Sequence, residues 1–215
     1  MKRTYARLAA FSVTTLALAA LATPAHAFRM IQNTSVGRVS AGAAVACNAP
    51  GGFTHWGNKS NIAWFLNTSG APGGALTALG SALSAWDSAS ADHSFLAPGT
   101  NSAGFVTDST NTIVFARGNG CTGQCLAITA LVLQAGQVIV ETDISFNSRY
   151  NWQTSGADID FQAVVTHELG HSVGIHHTEL TSTPRPTMYA AYFGNTGRTL
   201  ESDDTAAIAC SDSHY

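Results

Sequence analysis

Residues 167–177 read HELGHSVGIHH, and few backbone paths satisfy that stretch. On a helix, positions four apart lie one turn apart on the same face. His167 and His171 therefore direct their imidazoles at one place, with Glu168 at the edge of that face. Such a pair asks for a cation. Zinc takes nitrogen ligands at about 2.0–2.1 Å in a tetrahedral arrangement, and a catalytic ion keeps one position for water. Two ligands on one helix are too few, so the third comes from beyond the helix end. Gly174 lets the chain take a left-handed turn at no steric cost, and that turn can bring back either His176 or His177. Spacing alone does not separate these neighbours. Glu168 is placed to accept a proton from a metal-bound water as it attacks a carbonyl, and to pass it to a leaving amine.

The first 27 residues bear on the compartment. Lys2, Arg3 and Arg7 form a basic start, Leu8 to Leu21 is mostly Ala and Leu, and Ala25-His26-Ala27 is an A-x-A cleavage site. This is the pattern of a secretory signal peptide, with an apolar core too short to span a membrane. The mature chain is expected to begin near Phe28 and to be secreted, extracellular or periplasmic. No later segment carries an unbroken apolar run of about 18 residues, so no membrane anchor is expected. Cleavage removes three basic residues and no acidic ones, which takes the formal net charge from −3 to −6. An acidic chain with few Lys and Arg is a poor nucleic-acid binder.

Four cysteines, Cys47, Cys121, Cys125 and Cys210, follow the cleavage site. An even count in an exported chain favours disulfides. Cys121 and Cys125 can close a small loop, which leaves Cys47 to pair with Cys210. The alternative for Cys47 is a latency switch, its thiolate filling the open metal position.

Residues 28–50 are weakly patterned and rich in Ala, Gly and Ser, and read as a short leader or pro-segment. Residues 51–215 then form a single domain. Ile62, Trp64 and Leu66 alternate as in a strand. Leu76, Leu79, Leu83 and Trp86 recur at helical spacing, which predicts an amphipathic helix from Ala75 to about Ser90. Phe95 suggests a short strand. Thr112 to Ala116 is a compact strand, and Ala127 to Leu133 and Val138 to Phe146 are two more, joined by a turn at residues 134–137. Asp158 or Asp160 can cap a helix through Phe161, Val164, Val165 and Leu169, with Gly174 at its end. A last short helix starts near Ser202 or Asp203. Strands with interspersed helices make an α+β fold, a sheet covered by helices.

His167, Glu168, His171, Gly174 and His177 match the metzincin signature position for position. Met188 is the candidate for the Met-turn beneath the metal, and residues 188–192 (MYAAY) resemble the matrixin Met-Tyr-Pro-x-Tyr segment. Leu200, Asp203, Asp204 and Ile208 resemble the start of the matrixin C-terminal helix. The chain thus resembles matrixins over about residues 50 to 210. The resemblance implies a twisted mixed sheet with one antiparallel edge strand, an active-site helix and two further helices. It also implies one catalytic zinc on His167, His171 and His177, with His176 outside the ligand set, and hydrolysis of peptide bonds by a zinc-bound water that Glu168 activates. Substrate, a protein or peptide, would add as a strand along residues 127–133, and Tyr189 and Tyr192 would wall the pocket for the side chain after the cut bond. A monomer is expected.

Several positions depart from the matrixin pattern. Thr178 stands where Ser is usual, Ala190 where Pro is usual, and Val45-Ala46-Cys47-Asn48 lacks the matrixin latency motif, which leaves the disulfide as the favoured state of Cys47. No histidine lies between Ala116 and Phe161, so a second, structural zinc is not expected, and calcium is possible without support. The rival is an exported zinc-binding or adhesion module with a vestigial protease site. Glu168 weighs against it, since a metal kept for structure needs no base beside an open position.

Overall fold

The computed structural model describes residues 27–155, 158–181 and 183–213. The expected signal peptide falls outside them, apart from Ala27. In chain order the elements are β1 (Arg29–Gln32), β2 (Gly37–Val39), β3 (Ala43–Val45), β4 (His55–Trp56), β5 (Phe65–Asn67), α1 (Ala75–Ala89), β6 (Gly99–Asn101) and β7 (Thr112–Ala116). There follow β8 (Ala127–Gln134), β9 (Val138–Asn147), β10 (Trp152–Gln153), β11 (Ile159–Asp160), α2 (Phe161–Ser172), β12 (Ile175–His176) and, after a 3-10 turn at Asn195–Arg198, α3 (Ser202–Asp212).

The main sheet runs β2-β8-β9-β7-β5-β6, with β4 also on β9. Strands β9, β7, β5 and β6 are mutually parallel, and β8 lies antiparallel to β9. The β8–β9 hairpin turns where expected, with Gly136 at φ 83° and Gln137 at φ 65°. The strand expected from Ile62 forms its ladder only from Phe65. Ile62 makes a lone parallel bridge to Phe95, yet Ile62, Trp64 and Leu66 are all buried. Helix α1 buries Ala75, Ala78, Leu79, Ala82, Leu83 and Trp86. Leu76, expected in that stripe, is 37% exposed, because Ala75 takes the buried position of the first turn.

Helix α2 carries the motif and is fixed at several points. Its N-cap is Asp160, whose carboxylate accepts from the Ala163 N–H at 2.8 Å and pairs with the Arg198 guanidinium. Asp158 has no such role. The indole N–H groups of Trp86 and Trp56 donate to the carbonyls of Thr166 and Ser172, each at 2.8 Å. These bonds tie the helix to α1 and to β4, so its ligand face holds a fixed angle over the sheet.

Residues 28–50, set apart above as a leader or pro-segment, lie within this packing. Strand β1 sits between β12 and β3 in a second sheet, and its Met30 is wholly buried. Strand β2 pairs with β8, so the edge expected to be open is covered at residues 131–133. Cys47 is joined to Cys210 in α3, and Cys121 to Cys125.

The Cys47–Cys210 bridge spans 163 residues of chain, and a cross-link over so long a loop restricts the unfolded ensemble strongly. The double variant Cys47→Ala/Cys210→Ala is expected to lose about 2–5 kcal/mol in urea unfolding, and non-reducing peptide mapping of the native protein to yield the linked fragments. Unchanged stability and a free Cys47 thiol would contradict this.

Candidate metal centre

His167 and His171 project from one face of α2, and the chain then turns at Gly174 with φ 87°. A Cβ at that position would overlap the backbone oxygen of Thr54, so only glycine fits. The turn delivers the chain into β12 and on to His177. The result is a ring of three imidazoles. His177 Nε2 lies 3.2 Å from His171 Nε2 and 3.2 Å from His167 Nε2. Ligand nitrogens around a tetrahedral zinc are about 3.3–3.4 Å apart, so these three fit that ion. His176, the neighbour that spacing could not separate, lies outside this group.

The other nitrogen of each helix ligand is held by backbone. His167 Nδ1 meets the Thr187 carbonyl and His171 Nδ1 the Ile175 carbonyl, both at 2.7 Å. A carbonyl can only accept, so each Nδ1 carries the proton and each Nε2 lone pair is free to bind a metal. Burial together with the neighbouring imidazoles pushes His171 well below the ordinary histidine range, and the same causes bring His177 down to about 4. Neutral imidazoles are what a metal needs.

Glu168 is buried beside the ring. Burial raises its pKa, opposed by His167 and by a hydrogen bond from Thr129, whose hydroxyl donates to Oε2 at 2.6 Å. A carboxylate with a raised pKa is a stronger base. Thr129 comes from β8, so the sheet edge and the carboxylate are in direct contact.

Met188 is 1% exposed and packs against Gly170 of α2. Gly170 makes room for it, since a Cβ there would overlap the Met188 sulfur and crowd Trp86. The Met188 turn hangs from Asp204 of α3, whose carboxylate accepts from the N–H groups of Thr187 and Met188 at 2.8 and 3.0 Å. Thr178 donates to Asp203 at 2.6 Å. Serine would offer the same hydroxyl, so this departure from the matrixin pattern keeps a hydrogen bond. Tyr189, Ala190, Ala191 and Tyr192 wall a cleft of about 610 Å³ that opens onto His167, Glu168 and His177. The Tyr192 hydroxyl accepts from the Asp160 N–H at 2.8 Å and donates to the Asp158 carbonyl at 3.1 Å, which fastens that wall to the start of α2.

Three supports escaped the sequence reading: Thr129 and the carbonyls of Thr187 and Ile175. Thr129 left a trace, as the one polar side chain within AITALVL. The carbonyls left none, because every residue carries one.

Comparison with known proteins follows the same line. Karilysin of Tannerella forsythia is 37% identical over 65 residues, which cover 30% of this chain and 13% of that protein. The matrixin family model matches residues 55–210, from β4 to Cys210. A match over that much of a 215-residue chain is decisive: the protein belongs to the matrixins, a family of zinc-dependent metalloendopeptidases.

Proposed function

We propose that the chain is a secreted, monomeric endopeptidase in which His167, His171 and His177 bind one catalytic zinc through Nε2 and Glu168 is the general base. The observation that carries this reading is the trio of Nε2 atoms at ligand spacing with a buried carboxylate beside them. A bound zinc supplies Lewis acidity for the scissile carbonyl and lowers the pKa of water toward ~7. Glu168 takes the proton of the attacking water on its carboxylate and releases it to the leaving amine. The Thr129 hydroxyl holds that carboxylate in place between the two transfers. Substrate lies along the edge of β8 by backbone hydrogen bonds. The side chain after the cut bond enters the cleft walled by Tyr189 to Tyr192.

Glu168→Gln keeps the shape and removes the base. Zinc content should be unchanged while peptide hydrolysis falls by at least ~100-fold, and near-normal turnover in a zinc-loaded variant would rule out this role. Thr129→Val removes a hydrogen bond that favours the charged carboxylate. The Glu168 pKa then rises further, so the acid limb of the kcat/KM profile should move to higher pH. An unmoved limb would detach Thr129 from the base.

The ligand set is tested by metal content. His177→Ala should lose most bound zinc and all useful activity, whereas His176→Ala should keep its zinc with at most a ~10–100-fold loss in affinity or activity. The reverse pattern would refute the assignment. Chelation should abolish turnover and zinc should restore it; full activity in the stripped protein would remove the metal from the reaction.

A further inference from the structure

The edge of β8 is filled in part by the chain itself. Strand β2 pairs with it antiparallel, Val39 opposite Leu131, Arg38 opposite Val132 and Gly37 opposite Leu133. Thr129 contacts Glu168, so on the proposed function the reacting bond meets the strand near it. Between that point and the first position covered by β2 only Ala130 intervenes. Beyond Val39, the stretch Ser40, Ala41 and Gly42 swings away from β8 and faces Ala127, Ile128 and Thr129 across a chamber of about 280 Å³. The chamber also touches His171, His176 and His177. It shares Ala127, Glu168 and His177 with the large cleft of Tyr189 to Tyr192 and is otherwise lined by different residues.

This strand is fastened on both flanks. Arg38 donates to Asp143 at 2.9 Å and lies 3.8 Å from Glu141, both buried carboxylates of β9, and its guanidinium covers the Phe105 ring. Asn33, just after β1, is held by Gln137 through its N–H at 3.0 Å and by its side chain to the Ala41 carbonyl at 2.5 Å. Met30 in the core and the Cys47–Cys210 bridge anchor the ends of the segment.

The geometry points to residues 37–42 as a built-in wall that closes the amino-side half of the substrate cleft. This rests on the proposed function, in which the residue after the cut bond occupies the large cleft and the preceding residues run toward Leu131. Opposite residues pair one for one in an antiparallel ladder, so the open edge offers strand pairing to about two residues ahead of the scissile bond. A longer amino-side segment must leave the sheet edge, and it gains no further backbone bonds from β8. Specificity is then set by the carboxyl side of the cut and by the small chamber, in contrast to an enzyme that reads a long strand on both sides.

A peptide series tests this with the mature zinc-loaded protein. The carboxyl side of the cut is held constant and the amino side grows from one to six residues. kcat/KM should rise over the first two or three residues and then stay level within about twofold, since later residues find no free backbone partners. A further gain of about tenfold or more from three to six residues, the return on two added backbone hydrogen bonds, would overturn the wall. If no peptide in the series is cut, the proposed function fails and this inference with it.

A variant provides the converse. Gln32 and Ala43 are direct partners at the end of the β1–β3 ladder, so residues 33–42 can be replaced by Asn-Gly, which closes a two-residue hairpin. Asp143→Asn accompanies it, to remove the charge that Arg38 meets. Six-residue peptides should now gain about tenfold over three-residue ones, both measured in this variant. A level response in a variant that keeps its zinc and the Cys47–Cys210 bridge would overturn the proposal. Should the variant fail to fold, the wild-type series decides alone.

Discussion

At Gly174 the chain leaves α2 in a left-handed conformation and passes against the backbone of Thr54, closer than any side chain would permit. The same peptide is held from the other side, for the Ile31 N–H donates to the Gly174 carbonyl at 2.7 Å, and the Thr54 N–H donates to the Ile31 carbonyl at 2.6 Å. Three separate stretches of chain thus meet at one turn. The turn aims β12, and β12 aims His177 back at the two imidazoles of α2. A larger residue at 174 would displace the third imidazole while leaving the helical pair untouched. The centre therefore depends on backbone approach as much as on its histidines.

Charge and burial work together around that turn. The imidazoles crowd one another in a largely buried place, which favours their neutral forms, and carbonyls of Thr187 and Ile175 select the tautomer that leaves Nε2 bare. Glu168 shares the burial, and Thr129 tempers its effect. Against α2, Met188 occupies space that Gly170 leaves open, while Asp204 takes up the N–H groups of the turn that carries it. Helix α3 thus holds the Met188 turn from a distance in sequence, and Cys210 near its far end ties the same helix to Cys47, two residues beyond β3.

What the sequence shows plainly is local. The stripe of Leu79, Leu83 and Trp86, the β8–β9 hairpin and a cap at Asp158 or Asp160 follow from periodicity and turn chemistry within a few residues, and the structure selects Asp160. The convergence of His167 and His171 is local too, being a property of one helix. The choice of His177 over His176 came through family resemblance, since helical spacing does not extend past Gly174. Strands β1, β2 and β3 gave almost no signal. They are three or four residues long; β1 and β2 pair with β12 and β8, more than ninety residues away, and β3, among the described residues, pairs only with β1. No short window contains both partners of the β1–β12 or β2–β8 ladder, so these strands leave no periodic signal of their own. Leu76 shows the limit in miniature, because periodicity says which face is apolar but not where the neighbouring surface ends.

The central claim is that three imidazole nitrogens, with no sulfur among them, hold zinc at the end of α2. X-ray absorption at the zinc edge of the purified mature protein tests it directly, because nitrogen and sulfur ligands differ in distance and scattering. The account predicts three histidine nitrogens and one oxygen, all near 2.0–2.1 Å. A sulfur shell at about 2.3 Å, or a fourth histidine in place of the oxygen, would contradict it.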